Sequence, residues 1–216
     1  MSLDKKNLLE SIKEVRDKSE KKNFVQTIDL VINLRDIDMK KPEGKIQELI
    51  ELPHMSGKGN KICVIASGEM AMKAKKAGAD LVLEKSELEA MSGDKKKQKQ
   101  MAASYDLFIA EGPLMPVVGR VLGSTLGPKG KMPTPLPSNA NIADHIERQR
   151  KVVFMKLRGQ PVLQSAVGTE DMTDDQIAEN VQTVLRRIEG KLKRGAKNIR
   201  SIRLKTTMGQ PVRIKL

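Results

Sequence analysis

Between Ile62 and Leu122, short apolar runs alternate with segments of helical periodicity, and no other feature constrains the fold so tightly. Ile62 to Ala66, Leu81 to Leu83 and Asp106 to Ala110 each read as a buried strand. Glu69 to Ala77 reads as a helix stopped by Gly78. Leu88 with Met91 marks a second helix, and Val117, Val118, Val121 and Leu122 a third. Strands that alternate with helices predict a parallel α/β unit, because a parallel pair needs a crossover long enough to hold a helix. A Gly/Pro-rich loop, Gly123 to Ser138, is expected to close it.

The flanks follow another pattern. Leu8, Leu9, Ile12 and Val15 recur at helical spacing, so residues 4–21 read as an amphipathic helix. Ile28, Leu30, Ile32 and Leu34 alternate with Asp29, Val31 and Asn33, which predicts a strand with one buried face. A turn-rich, charged stretch, residues 35–44, follows. One helix and one strand cannot bury a core alone. The missing partners stand at the other end of the chain. Val152 to Leu157 and Val162 to Val167 read as strands joined through Gly159-Gln160-Pro161. Thr173 with Gln176 fits a capping box opening a helix whose stripe is Ile177, Val181, Val184, Leu185 and Ile188. Ile199 to Lys205 and Val212 to Lys215 read as a closing antiparallel pair. The parallel unit is therefore expected as an insertion, with chain crossings near residues 65 and 153 forming a hinge.

Charge narrows the function. The net charge of +13 is uneven: residues 153–216 carry 13 basic and 6 acidic groups. From Thr183 onward, eleven Lys or Arg stand against the single acid Glu189, interleaved with Ile188, Leu192, Ile199, Ile202 and Leu204. Such a tract folds and displays its charge on a surface, as expected of a nucleic-acid partner. Only four aromatic residues occur, Phe24, Tyr105, Phe108 and Phe154, which disfavours stacking of single-stranded bases on an aromatic sheet. Recognition is expected to use the shape, backbone and hydroxyls of a structured RNA. The lone Cys63 excludes a disulfide framework and points to a reduced, cytoplasmic setting. The first residues do not form a signal peptide, and no apolar run reaches the length of a membrane span.

Lys73, Lys75 and Lys76, and Lys95, Lys96, Lys97 and Lys99, read first as solvated helix faces. The loop Gly127-Pro128-Lys129-Gly130-Lys131 suggests a phosphate cradle but lacks P-loop spacing. It leaves one rival reading open: a small-molecule-binding α/β protein using residues 123–133. A nonspecific basic nucleic-acid chaperone is a further alternative. His54 and His145 have no companions at metal spacing, and no nucleophile elbow or paired carboxylate appears, so neither a metal site, a cofactor nor catalysis is expected. Thr206-Thr207-Met208-Gly209 lies between two strands, with Gly209 placed for positive φ or for close approach of RNA.

Ser201-Ile202-Arg203-Leu204-Lys205-Thr206-Thr207-Met208-Gly209 closely resembles the C-terminal signature of the ribosomal protein L-one family, and the Arg35 to Pro42 string resembles the archaeal type. Leu122-Gly123-Ser124-Thr125-Leu126-Gly127-Pro128-Lys129-Gly130-Lys131-Met132-Pro133 resembles its central loop. Ala77-Gly78-Ala79-Asp80, Leu52-Pro53-His54 with Gly57-Lys58, and Val167-Gly168-Thr169 are similar too. The resemblance implies an α/β protein of two domains. A split α+β sandwich domain from both chain ends, residues 1–64 plus 153–216, would carry the RNA site. A Rossmann-like parallel-sheet domain, residues 65–152, would be inserted in it and bind no nucleotide. It implies a protein, monomeric when free, that binds large-subunit rRNA in the cytoplasm. There it would form the mobile stalk of the large ribosomal subunit near the exit-site tRNA, assist tRNA release, and repress translation through a hairpin in its own mRNA. By position, Phe24, Thr27, Asp29, Gly168, Ser201, Thr207, Met208 and Gly209 would face RNA.

Overall fold

The computed structural model describes residues 5–38, 46–57, 59–137, 140–157 and 159–214. The turn-rich stretch over residues 35–44 lies outside the described residues from Met39 onward, as do Lys58 and Lys215. The chain divides into two compact units, Met1–Lys58 with Lys151–Leu216, and Gly59–Arg150. The sequence pattern places these crossings at 64/65 and 152/153, a few residues further along the chain.

In the split unit, β1 (Thr27–Leu34) is the centre of a sheet whose neighbours come from the other chain end. β8 (Val162–Thr169) and β9 (Ile199–Thr206) flank it, and β10 (Val212–Ile214) lies outside β9, all antiparallel. Strict alternation along β1 buries Ile28, Leu30, Ile32 and Leu34 and leaves Thr27, Asp29, Val31 and Asn33 partly exposed. Onto the buried face pack α1 (Lys5–Asp17), through Leu8, Ile12 and Val15, and α7 (Asp174–Lys191), through Ile177, Val181, Val184, Leu185 and Ile188. Leu30 is fully buried among residues from both chain ends. Its truncation to Ala is expected to cost about 2–5 kcal/mol, as for other core leucines. The capping box opening α7 forms as expected: Gln176 N–H donates to Thr173 Oγ1 at 3.4 Å and Thr173 N–H to Gln176 Oε1 at 3.1 Å.

A second small sheet was not legible. β2 (Gln47–Glu51) pairs antiparallel with β7 (Val152–Lys156), so β7 takes its ladder from β2 and not from the strand that follows it in sequence. β2 buries only Ile50, too little for a periodic signal.

In the inserted unit, β3 (Ile62–Ile65), β4 (Leu81–Leu83), β5 (Leu107–Glu111) and β6 (Thr134–Leu136) form a parallel sheet in the order β4-β3-β5-β6. α2 (Gly68–Lys76) and α6 (Ile142–Arg150) cover one face with Met70, Ala71, Ala74, Ile142 and Ile146. α3 (Lys85–Ala90), α4 (Lys95–Ser104) and α5 (Met115–Lys129) cover the other with Leu88, Met101, Ala102, Val118, Val121, Leu122 and Leu126.

Two expectations fail here. The loop expected from Gly123 is helical to Lys129. Burial of Leu122 and Leu126 outweighs the weak helix propensity of Gly123 and Gly127. Pro128 gives up one backbone donor in the last turn. Gly130 then ends the helix at φ 72, with Gly130 N–H donating to the Gly127 carbonyl at 2.9 Å and Lys131 N–H to that of Leu126 at 3.1 Å. α6 was also missed, because it buries only two residues, Ile142 and Ile146, in a charged segment.

Candidate nucleic-acid interface

The turn after β9 is held to the start of β1 by the side chain of Thr207. Its Oγ1 accepts from Thr27 N–H at 3.1 Å and donates to the Thr27 carbonyl at 3.3 Å. One residue on, Met208 N–H donates to Gln26 Oε1 at 3.1 Å. Gln26 is fully buried. Its Nε2 donates toward Ser19 Oγ at 2.9 Å, the Glu20 carbonyl at 3.0 Å and Glu170 Oε1 at 2.9 Å. Its backbone N–H donates to Glu170 Oε2 at 3.2 Å, and its carbonyl accepts from Glu170 N–H at 3.0 Å. Ser19 Oγ lies 3.1 Å from Thr206 Oγ1 and donates to Glu170 Oε1 at 3.2 Å. Arg16 closes the network from α1. Its Nη1 donates to the Glu170 carbonyl at 2.6 Å, its Nη2 to the Met172 carbonyl, and its Nε to Asp174 Oδ1 at 2.8 Å. Buried polar groups so fully paired form a rigid base. Beside it stand three exposed apolar side chains, Phe24 at 51%, Val25 at 53% and Met208 at 67%. Apolar groups presented on a fixed polar frame suit contact with ribose and base faces more than with phosphate.

From this turn the outer face of the sheet runs along β9. Asp29 pairs with Lys205 on β9 and Ala166 on β8, and Asn33 pairs with Ser201 on β9. Burial raises the Asp29 carboxyl above the usual carboxylate range, and Lys205 opposes that rise. Asn33 Nδ2 donates to Ser201 Oγ at 2.9 Å.

The fold thus gathers Phe24, Thr27, Thr207, Met208 and Gly209 at one end of the sheet, with Asp29 one step inward. Ser201 has the parity of the outer face but is buried there, six residues along β9 from Thr207, roughly 20 Å away at the rise of a strand. Gly168 pairs with Ile28 and is buried. A Cβ there would meet Ile177 Cγ1 at 2.9 Å and Met172 Sδ at 3.2 Å, so this glycine lets α7 approach the strand. Gly209 does not have the positive φ expected of it. Its requirement is steric instead: a Cβ would lie 2.2 Å from Thr206 Oγ1.

Sequence reasoning missed Gln26, Thr206, Ser19, Glu170 and Arg16. For the first two a signal existed. Gln26 continues the buried parity of Ile28, Leu30 and Ile32, and Thr206 that of Ile202 and Leu204. Both are polar residues at core positions of a strand pattern. Ser19, Glu170 and Arg16 sit in segments with no periodicity to violate.

The rival site fares differently. Residues 123–129 are helical, so no glycine-rich cradle exists there. At the carboxyl edge of the parallel sheet, the usual ligand crevice of such folds, Ser67 N–H and Oγ donate to Glu111 Oε2 at 3.2 and 3.0 Å. A carboxylate of the chain itself takes the donors that a phosphate would need. Among the described residues no cluster of three or more His, Cys, Asp or Glu can hold a metal ion. His54 Nε2 lies 2.8 Å from Glu179 Oε2, in a loop stapled to α7 by Asn180. No helix among the described residues is long and apolar enough to cross a membrane.

Comparison with known proteins converges on one family. The model of the ribosomal protein L1p/L10e family matches residues 15–210. The large ribosomal subunit protein uL1 of Methanothermobacter thermautotrophicus is 42% identical over 96% of this chain and 98% of its own length. That of Methanosphaera stadtmanae is 44% identical over 95% and 97%. That of Pyrococcus abyssi is 43% identical over 100% and 98%. These relatives are archaeal, the type expected from the Arg35 to Pro42 string.

Proposed function

The chain belongs to the ribosomal protein L1p/L10e family, and from that premise we propose that it binds large-subunit rRNA directly through the Thr207 turn and the outer sheet face of its split unit. It is a ribosomal protein of the large subunit and works in the cytoplasm, on the ribosome, as a binder and not as an enzyme. The observation that carries the reading is the exposed Met208 on a turn fixed by buried Gln26, within the segment that bears the family signature. Phe24 and Met208 supply apolar contact to sugar and base. The Thr207 turn and Gly209 supply close backbone approach. The basic residues of the C-terminal third supply phosphate contacts.

In the finer reading the bound protein forms the mobile stalk beside the exit-site tRNA and assists tRNA release, with residues 65–152 as the inserted domain that moves. Free, the protein is a monomer. It represses translation of its own mRNA by binding a hairpin that resembles the rRNA site, so both RNAs compete for one surface. Footprinting of large-subunit rRNA with and without the protein tests the reading. A protected structured element that Met208→Ala exposes again supports it, whereas no protection at concentrations that saturate intact subunits removes it.

A further inference from the structure

Beyond the turn, the outer face of the sheet holds a feature that the polar network does not use. Arg203 on β9 and Arg213 on β10 are directly paired across the ladder, and both are exposed. Their neighbours Ile202, Leu204, Val212 and Ile214 are buried on the helix-covered side, so both arginines point outward. The same row continues through Val31 on β1 and Gln164 on β8. No carboxylate lies in it. The nearest acid on this face, Asp29, stands in the next row opposite Lys205 and interacts with it.

Like charges directly opposite on one face of an antiparallel pair disfavour the strand pairing that holds them. Nothing in the row offsets that cost, since Val31 and Gln164 carry no charge. Two guanidiniums side by side form a fork of planar donors suited to the oxygens of a phosphodiester. Arg203 lies four residues along β9 from Thr207, roughly 13 Å at the rise of a strand. An RNA seated on the turn would therefore pass its backbone over this row.

We propose that Arg203 and Arg213 form a phosphate-binding fork that extends the RNA site along the sheet, away from the Thr207 turn. This rests on the rRNA-binding reading above. The fork holds the RNA backbone and carries no sequence information. Its contribution to affinity is electrostatic, whereas that of the turn is not.

The test is the salt dependence of binding, with the full chain and transcribed large-subunit rRNA. Parent, Arg203→Gln, Arg213→Gln and the double variant are compared with Lys75→Gln/Lys76→Gln on α2, and with Met208→Ala. For the double variant, log affinity against log salt is expected to become shallower by roughly 0.7 to 1.8, the release expected for one or two phosphates. Affinity at fixed moderate salt falls by about tenfold or more, and the melting temperature stays level or rises as the repulsion is relieved. Met208→Ala weakens binding with the parent slope, and the α2 variant keeps the parent slope. A parent that binds while the double variant keeps its slope would overturn the fork alone. A drop in melting temperature of the double variant would overturn it as well, by showing a structural role. Absence of rRNA binding by the parent would instead remove the reading on which the fork depends.

Discussion

The backbone N–H of Met208 is bound by the side-chain carbonyl of Gln26, 182 positions earlier in the chain, at 3.1 Å. This bond makes an exposed turn an extension of the core, because Gln26 is itself held by Ser19, Glu20 and Glu170. Gln26→Ala takes away the buried side chain that pairs these groups, which are themselves partly or fully exposed. Each lost hydrogen bond is expected to cost about 0.5–1.5 kcal/mol. Denaturant unfolding should report that loss, and rRNA affinity should fall further than for Met208→Ala, since the whole turn loosens. An affinity loss no greater than that of Met208→Ala would show that the turn holds its shape without Gln26.

The hydroxyl and methyl of Thr207 can be separated. Thr207→Ser keeps both hydrogen bonds to the Thr27 backbone, whereas Thr207→Val keeps the shape and loses both. Serine is expected to retain affinity within a few-fold. Valine is expected to weaken binding by about tenfold, in line with roughly 1 kcal/mol or more for the lost bonds. Titrations of the two variants side by side decide the matter, and a loss in serine with none in valine would place the contribution in the methyl group.

Gly209 and Thr206 should couple. In Gly209→Ala the new Cβ must displace Thr206 Oγ1, which lies 2.2 Å from where that carbon would sit, and disturb its contact with Ser19. Overpacking of this kind costs about 1–3 kcal/mol. Thr206→Ala removes the obstructing oxygen, so adding Gly209→Ala to it should cost little more than Thr206→Ala alone. A double-mutant cycle by chemical denaturation measures the coupling, and additive losses would contradict the steric explanation.

Asp29 should make stability depend on pH. Its folded pKa is raised by burial, with Lys205 pulling the other way. The native state therefore holds this proton more tightly than the unfolded chain does. The stability it confers is complete below the unfolded value, about 3.9, and is lost as pH rises through the folded value. Asp29→Asn removes a charge that is poorly solvated at neutral pH. Its melting temperature should exceed that of the parent at pH 7, and the gain should vanish near pH 3. A gain independent of pH would point to something other than the carboxylate charge.

The split unit should survive removal of the inserted one. Its core draws on Leu8, Ile28, Leu30, Val167, Ile177 and Leu204, and includes no residue between Gly59 and Arg150. The two crossings lie close together, because Glu51 pairs with Val152 and Leu52 N–H donates to the Lys151 carbonyl at 3.1 Å. A short linker in place of residues 59–150 needs to span little distance, and loop closure varies only slowly with length. The shortened protein should unfold cooperatively and still bind large-subunit rRNA, with the proposed mRNA hairpin as a competitor. Loss of all binding despite a folded spectrum would assign part of the site to the insertion.

The sequence by itself determined the elements whose signal is local. Alternation fixed β1, because one of its faces is buried and the other is not. Apolar runs marked β3, β4 and β5, because strands covered by helices on both faces need no polar side. Thr173 and Gln176 marked the start of α7, because a capping box closes within three residues. These elements, and a half-core at each chain end, already required the two ends to meet. What failed was what depends on distant partners. β2 has one buried residue and exists because β7 pairs with it. The second half of α5 is helical against its own glycines because Leu122 and Leu126 find a core. The turn at Thr207 was visible as a motif, and the polar residues on the core parity at Gln26 and Thr206 were visible as anomalies. Only the tertiary structure joined them, since hydrogen bonds between residues about 180 apart leave no periodicity in a sequence. The alignment of Arg203 with Arg213 was hidden for a related reason: it is set by strand register, which is decided by the pairing of whole strands and not by the residues it brings together.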